Sequence, residues 1–184
     1  MADACGDSRA ILERSSEDLL IIHRCLRLSP RDLEIHHTVG TIYERQHKYE
    51  EAAALYRRSA DLTGSSDAAL NIVVAYLDQV VAGPQPADQG QLLKALGALS
   101  DYLAWTSGGG PYDQLIPKTK RVLAHTGDAD EVPAFETCLN KALAADNASD
   151  PKIGRWQAAA SLKLCVDGAV DRVNARSIGA IAKP

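Results

Sequence analysis

The sequence predicts an all-α fold, and three observations carry that prediction. The 184 residues include 29 alanines but one Phe, one Met and only 5% aromatics. Alanine is the best helix former and lets helices approach closely, whereas the large aromatics that usually fill sheet sandwiches are scarce. Apolar residues recur at three- and four-residue spacings along most of the chain. Helix-start and helix-stop residues punctuate those stripes: Ser29-Pro30-Arg31-Asp32, Gly64, Ser66 and Gly83-Pro84. The length suits one domain over 1–184 and is too short for two ordinary enzyme domains. A chain of this size buries roughly 70% of its extended-chain surface, so neither a disulfide nor a metal is needed for stability.

Taken in order, the first element expected is a short helix over 7–14. Ser15 and Asp18 then start a second, through Leu19, Ile22, Cys25 and Leu28. Ser29 stands as a cap, with Pro30 at the first helical position and Asp32 three residues after the cap. From there Leu33, Val39, Ile42 and Tyr43 form a stripe that His47-Lys48 break. The next helix, 49–63, carries Ala52, Leu55, Tyr56 and Ser59, and Gly64 ends it from the position beyond the last turn. Ser66 caps 67–81, which carries Val73, Val74 and Leu77. After Gly83-Pro84-Gln85-Pro86, a long helix over 87–105 presents Leu92, Leu93, Leu96, Leu99 and Leu103.

The glycines and prolines of 106–111 make the strongest break, read as a surface loop. Beyond it come 112–126, broken or started by Pro117, and 130–146, with Pro133 in its first turn and Leu139, Ala142 and Leu143 as its stripe. A turn at 147–150 precedes a last helix from Pro151 bearing Trp156, Ala159, Ala160, Leu164 and Val170, and 176–184 reads as a loose tail.

Several function classes are disfavoured. Acids exceed bases 24 to 20, for a net charge of −4. The basic residues are scattered, Lys118-Thr119-Lys120-Arg121 being their longest local run, which argues against nucleic-acid binding. No stretch reaches the roughly 18–20 apolar residues of a membrane span. The first nine residues are acidic and polar, with no basic-then-apolar leader. Cys5, Cys25, Cys138 and Cys165 form no CxxC pair and read as small core residues on apolar helix faces. These features lead us to expect a cytoplasmic protein.

No catalytic signature emerges. Gly108-Gly109-Gly110 is followed by Pro111-Tyr112 rather than by Lys-Ser/Thr, and no GxSxG elbow is present. Asp128-Ala129-Asp130-Glu131 lacks the glycine and the distal Glu of a calcium loop and reads as the acidic start of a helix. His36 and His37 point about 100° apart on a helix. His23, His47 and His125 are single, so no metal site is expected. Asn147-Ala148-Ser149 matches a glycosylation acceptor, which we read as chance in a chain without a leader. We expect no catalytic residue, no cofactor and no metal, and therefore not an enzyme.

The repeat period is more informative. Pro30 and Gly64 stand 34 residues apart. Between them lie Val39-Gly40-x-x-Tyr43, Tyr49-Glu50-Glu51-Ala52, Tyr56 and Ser59-Ala60. This segment closely resembles a tetratricopeptide repeat (TPR). That family places a small residue (Gly40 here) where the first helix of a hairpin meets the second. An aromatic follows one turn later (Tyr43), then a small residue early in the second helix (Ala52), then a second aromatic (Tyr56). Ser59 departs from the usual Ala and His36 from the usual Trp. The resemblance rests on motif over 31–64 and on register over 16–105, and beyond 111 it is one of architecture only.

The resemblance implies hairpins stacked as a right-handed solenoid: TPR-like over 16–105, divergent helical pairs over 111–175, then the tail. It also implies a concave groove. Its lining would be Glu34, His37, Thr41 and Glu44 from one repeat and Asn71, Ala75 and Asp78 from the next. The expected function is a protein–protein interaction module holding a neutral to basic peptide or helix of a partner, with no nucleic acid and no membrane span. The family's basic clamp for a terminal carboxylate is not implied, because Thr38 and Ile72 stand in that lining beside Glu34. The alternatives are a structural protein that self-associates through an exposed apolar end or through the tail 178–181, the recognition domain of a larger enzyme, or an enzyme or small-molecule receptor with a pocket among His125, Cys138, Trp156 and Cys165.

Overall fold

The computed structural model describes residues 19–106, 111–144 and 151–181. Among the described residues there are eight helices and no strand. They are α1 (Leu19–Leu28), α2 (Leu33–Arg45), α3 (Tyr49–Thr63), α4 (Ser66–Ala82), α5 (Gln89–Thr106), α6 (Tyr112–Ala124), α7 (Glu131–Ala144) and α8 (Pro151–Ile181). The expected helix over 7–14, its Ser15 and Asp18 neighbours, the glycines 108–110 and the turn at 147–150 lie outside the described residues. So do the side chains of Leu143, Trp156 and 178–181. The chain divides into two compact units, Met1–Ala75 and Tyr76–Pro184.

In the N-terminal unit α2 begins later than its sequence suggests. Asp32, not Ser29, is the cap: its carboxylate accepts from the backbone N–H groups of Glu34 (3.0 Å) and Ile35 (3.2 Å). Ser29 closes the preceding turn by accepting from the Asp32 N–H at 3.1 Å. The acid wins because it satisfies two otherwise unpaired helix-start donors next to the apolar stripe. In α4 the cap moves the other way, by one residue from Ser66 to Ser65, whose hydroxyl accepts from the Ala68 N–H at 3.3 Å. Gly64 ends α3 as expected, in the left-handed conformation (φ 65°) that costs glycine nothing.

α2 and α3, joined by three residues, pack closely as a hairpin. Cys25, Ile35, Val39 and Ile42 form a core with Leu26, Tyr43 and Leu55 against it. Beside it the Tyr56 ring lies directly over Gly40. A Cβ on Gly40 would meet Tyr56 Cε1 at 2.4 Å and Cζ at 2.6 Å, so only glycine allows this approach.

In the C-terminal unit α8 is the organising element. It packs most broadly along α5, three helices back in the chain, and also against α7 and α6. Its buried stripe is Ala159, Leu162, Cys165, Val166, Ala169 and Val173. Leu164 and Ala160, expected inside, are exposed. The stripe that includes Cys165 is the one that meets the leucines of α5 (Leu92, Leu96, Leu99, Leu103), and α8 is rotated accordingly. Arg176, expected to open a loose tail, instead lies within this helix, which continues to Ile181. Val173 is buried there and Arg176 is ion-paired, so the chain has packing and charge reasons to stay helical.

The cysteines also depart from expectation. Cys138 of α7 and Cys165 of α8 are joined in a disulfide with Cα atoms 5.7 Å apart, and Cys25 is disulfide-bonded as well. Local cysteine spacing carries no sign of this bridge, because α7 and α8 bring together residues 27 apart in sequence. Glu131 is only 2% exposed. It accepts from Arg172 (Nε to Oε2, 3.1 Å) and from Arg176 (Nη2 to Oε1, 2.6 Å), while Arg176 also pairs with Asp128. The acidic run 128–131 is thus a helix start, as read, and an anchor for α8 besides.

Candidate functional site

The groove prediction can be followed residue by residue, and the N-terminal unit brings four of its members together. α2 presents His37, Thr41 and Glu44 at successive turns, and α4 presents Asn71. Asn71 Nδ2 donates to His37 Nδ1 at 2.9 Å, across a sequence separation of 34. That bond leaves the neutral His37 ring with its hydrogen on Nε2. The Thr41 hydroxyl donates to the His37 carbonyl (3.0 Å) and lies 3.5 Å from the Tyr56 hydroxyl. The Tyr56 hydroxyl donates to Glu44 Oε2 at 3.1 Å, and the rings of His37 and Tyr56 are 6.0 Å apart, tilted. Burial pushes the Tyr56 phenol far above its ordinary range; the neighbouring Thr41 hydroxyl opposes this and the Glu44 carboxylate reinforces it.

Of these residues His37, Tyr56 and Asn71 line a cleft of about 400 Å³, together with Leu33, Ser59, Ser65, Asp67, Ala68 and Leu70. His37 offers an N–H, Asn71 an acceptor oxygen and a second N–H, and Asp67 an exposed carboxylate. Leu33 and Leu70 supply apolar walls. The arrangement suits holding a polar, extended ligand between apolar edges.

Other predicted members are placed differently. Glu34 is exposed on α2 and, like Thr41 and Glu44, is not in the cleft's lining. Ala75 is fully buried, so it cannot face a groove; at that point of α4 the small side chain is part of the core. Asp78 lies in the C-terminal unit and is bound by Lys118 at 2.6 Å. Tyr56, read as a packing wedge, proves also to wall the cleft. The available signal was Glu44, an acid on the α2 face turned toward α3, which needs a donor there.

The pocket imagined among His125, Cys138, Trp156 and Cys165 loses its thiols to the disulfide. His125 Nδ1 donates to the Arg121 carbonyl at 2.7 Å and its Nε2 accepts from Gln85 at 2.8 Å. A separate cavity of about 270 Å³ in the C-terminal unit includes Leu92, Thr126, Val173 and Arg176, whose guanidinium is already paired with Asp128 and Glu131. Among the described residues no cluster of three or more metal-ligating side chains occurs, and no helix is long and apolar enough to cross a membrane.

Compared with known protein families, curated proteins and solved structures, the chain matches none.

Proposed function

We propose that this chain is a protein-interaction module of TPR-like construction whose N-terminal cleft holds an extended peptide segment of a partner. The observation that carries the reading is the His37–Asn71 bond. Its two residues stand 34 apart, one repeat length, and sit on α2 and α4, which in the proposed repeat register would be the first helices of successive hairpins. In a helical-repeat array equivalent positions on first helices become neighbours on the ligand-bearing face. The close crossing at Gly40 and Tyr56 supports the same reading.

The cleft then works by presenting paired donors and acceptors. An extended backbone exposes alternating N–H and C=O groups, which Asn71 and the His37 Nε2–H meet, while Leu33 and Leu70 take small apolar side chains. Asp67 biases the choice toward neutral or basic segments.

The test starts from extended peptides selected from a random displayed library against the full chain. Asn71→Ala removes both hydrogen-bonding functions, which at about 1–3 kcal/mol corresponds to a loss of roughly 5- to 150-fold. Peptides whose affinity ignores Asn71→Ala and His37→Ala would refute the reading.

A further inference from the structure

We infer that this protein works in an oxidising compartment as a disulfide-framed chain, with Cys138 as the sulfur through which its α7–α8 bridge is made and Cys165 as the one that completes it. Among the described residues no cysteine is free. Each compact unit contains a bonded one: Cys25, fully buried in the N-terminal core, and the Cys138–Cys165 pair in the C-terminal unit. Thiol pools of the cytosol keep such pairs reduced, whereas export routes and disulfide-forming lumens keep them bonded.

The bridge sits where the fold has use for it. Glu131 of α7 pairs with Arg172 of α8, and Cys138 of α7 pairs with Cys165 of α8. Moving two turns forward on α7 therefore matches two turns backward on α8. The helices run antiparallel and are clamped at two levels, one ionic and one covalent. Neither clamp depends on the proposed peptide cleft, which lies in the other unit.

Exposure sets the order of events. Cys165 is 1% exposed among Leu162, Val166 and Ala169, whereas Cys138 is only partly buried. An incoming disulfide, from a protein disulfide donor or oxidised glutathione, is attacked by the Cys138 thiolate. That gives a mixed disulfide and releases one thiol. The Cys165 thiolate then attacks the Cys138 sulfur and releases the second. Two protein thiols lose two protons and two electrons, and the donor disulfide gains both.

The test uses full-length chain taken from its native cells, with N-ethylmaleimide added before lysis and no reductant, followed by peptide mass mapping. A linked Cys138–Cys165 peptide without adducts is expected; alkylation of both cysteines would overturn the inference. Reductant should lower the Tm of the full chain by at least about 5 °C, and an unchanged Tm would contradict a framing role. For the order of attack, Cys165→Ser should accumulate glutathione on Cys138, and Cys138→Ser should leave Cys165 unmodified. The reverse pattern would refute the assignment.

Discussion

Gly40→Ala adds one methyl group to α2 at the point where the Tyr56 ring crosses it. The new Cβ would stand 2.4, 2.6 and 3.0 Å from Tyr56 Cε1, Cζ and Cδ1. Ordinary carbon contacts lie at about 3.5–4.0 Å, so the ring must retreat by about 1 Å. It has little freedom to do so, being 1% exposed with its hydroxyl held by Glu44 at 3.1 Å. Overpacking of this kind costs about 1–3 kcal/mol. Replacing a mid-helix glycine by alanine returns roughly 0.5–1 kcal/mol, so the net loss should centre on about 1 kcal/mol and reach at most about 2.5 kcal/mol. Gly97 of α5 provides the control, because a Cβ there meets nothing within 4 Å. Gly97→Ala should therefore stabilise, by up to about 1 kcal/mol. Urea melts of both variants read the two signs directly. If Gly40→Ala stabilised the protein as Gly97→Ala does, the close-crossing argument would be wrong. Gly40→Leu should be worse still. Tyr56→Ala in the Gly40→Ala background should show a coupling of about 1 kcal/mol or more.

Further expectations concern charge, pH and the C-cap. Removing Arg172 and Arg176 together leaves the buried Glu131 carboxylate uncompensated, which should cost about 3–5 kcal/mol and be largely rescued by Glu131→Gln in a melting series. The raised Tyr56 phenol contributes stability that is fully present below pH 10 and declines as the pH rises beyond it, since the unfolded chain ionises first. The slope is up to about 1.4 kcal/mol per pH unit. Alkaline melts of Tyr56→Phe should lack that component. Asp167 experiences a burial penalty that hydrogen bonds from Lys163 and Ser100 outweigh, so its carboxyl is held below the usual range. Its contribution is present at neutral pH and fades as the pH falls through the lowered folded value, and an acid titration of Asp167→Asn should show a shallower loss. Gly64→Ala should cost about 1 kcal/mol from backbone strain alone, since no atom lies near the added methyl group.

How much of this was legible in the sequence differs from element to element. The all-helical class and the α2–α3 hairpin were, because stripes, caps and the Gly40, Ala52 and Tyr56 pattern are local signals. Asp32, read as the acid after the cap, took the cap from Ser29 because its carboxylate meets the N–H groups of both Glu34 and Ile35, a geometry that the local pattern does not fix. The rotation of α8 was not legible, since its long run of small and apolar residues supports more than one stripe and contact with α5 selects the one containing Cys165. The disulfide and the Arg172, Arg176 and Glu131 cluster are pairings between α7 and α8, invisible to any single-helix pattern. The nearness of His37 and Asn71, 34 residues apart, is the one pairing in the candidate site that the spacing suggested. Ala75 failed because a small residue fits a groove or a core equally well on paper.

The most direct test of the interaction reading is an NMR titration of the full chain with a library-selected extended peptide, following the Asn71 side-chain amide and the His37 ring. The account predicts that these signals move first and saturate together with those of Leu33 and Leu70. Shifts confined to α5–α8, with Asn71 and His37 unmoved, would contradict it.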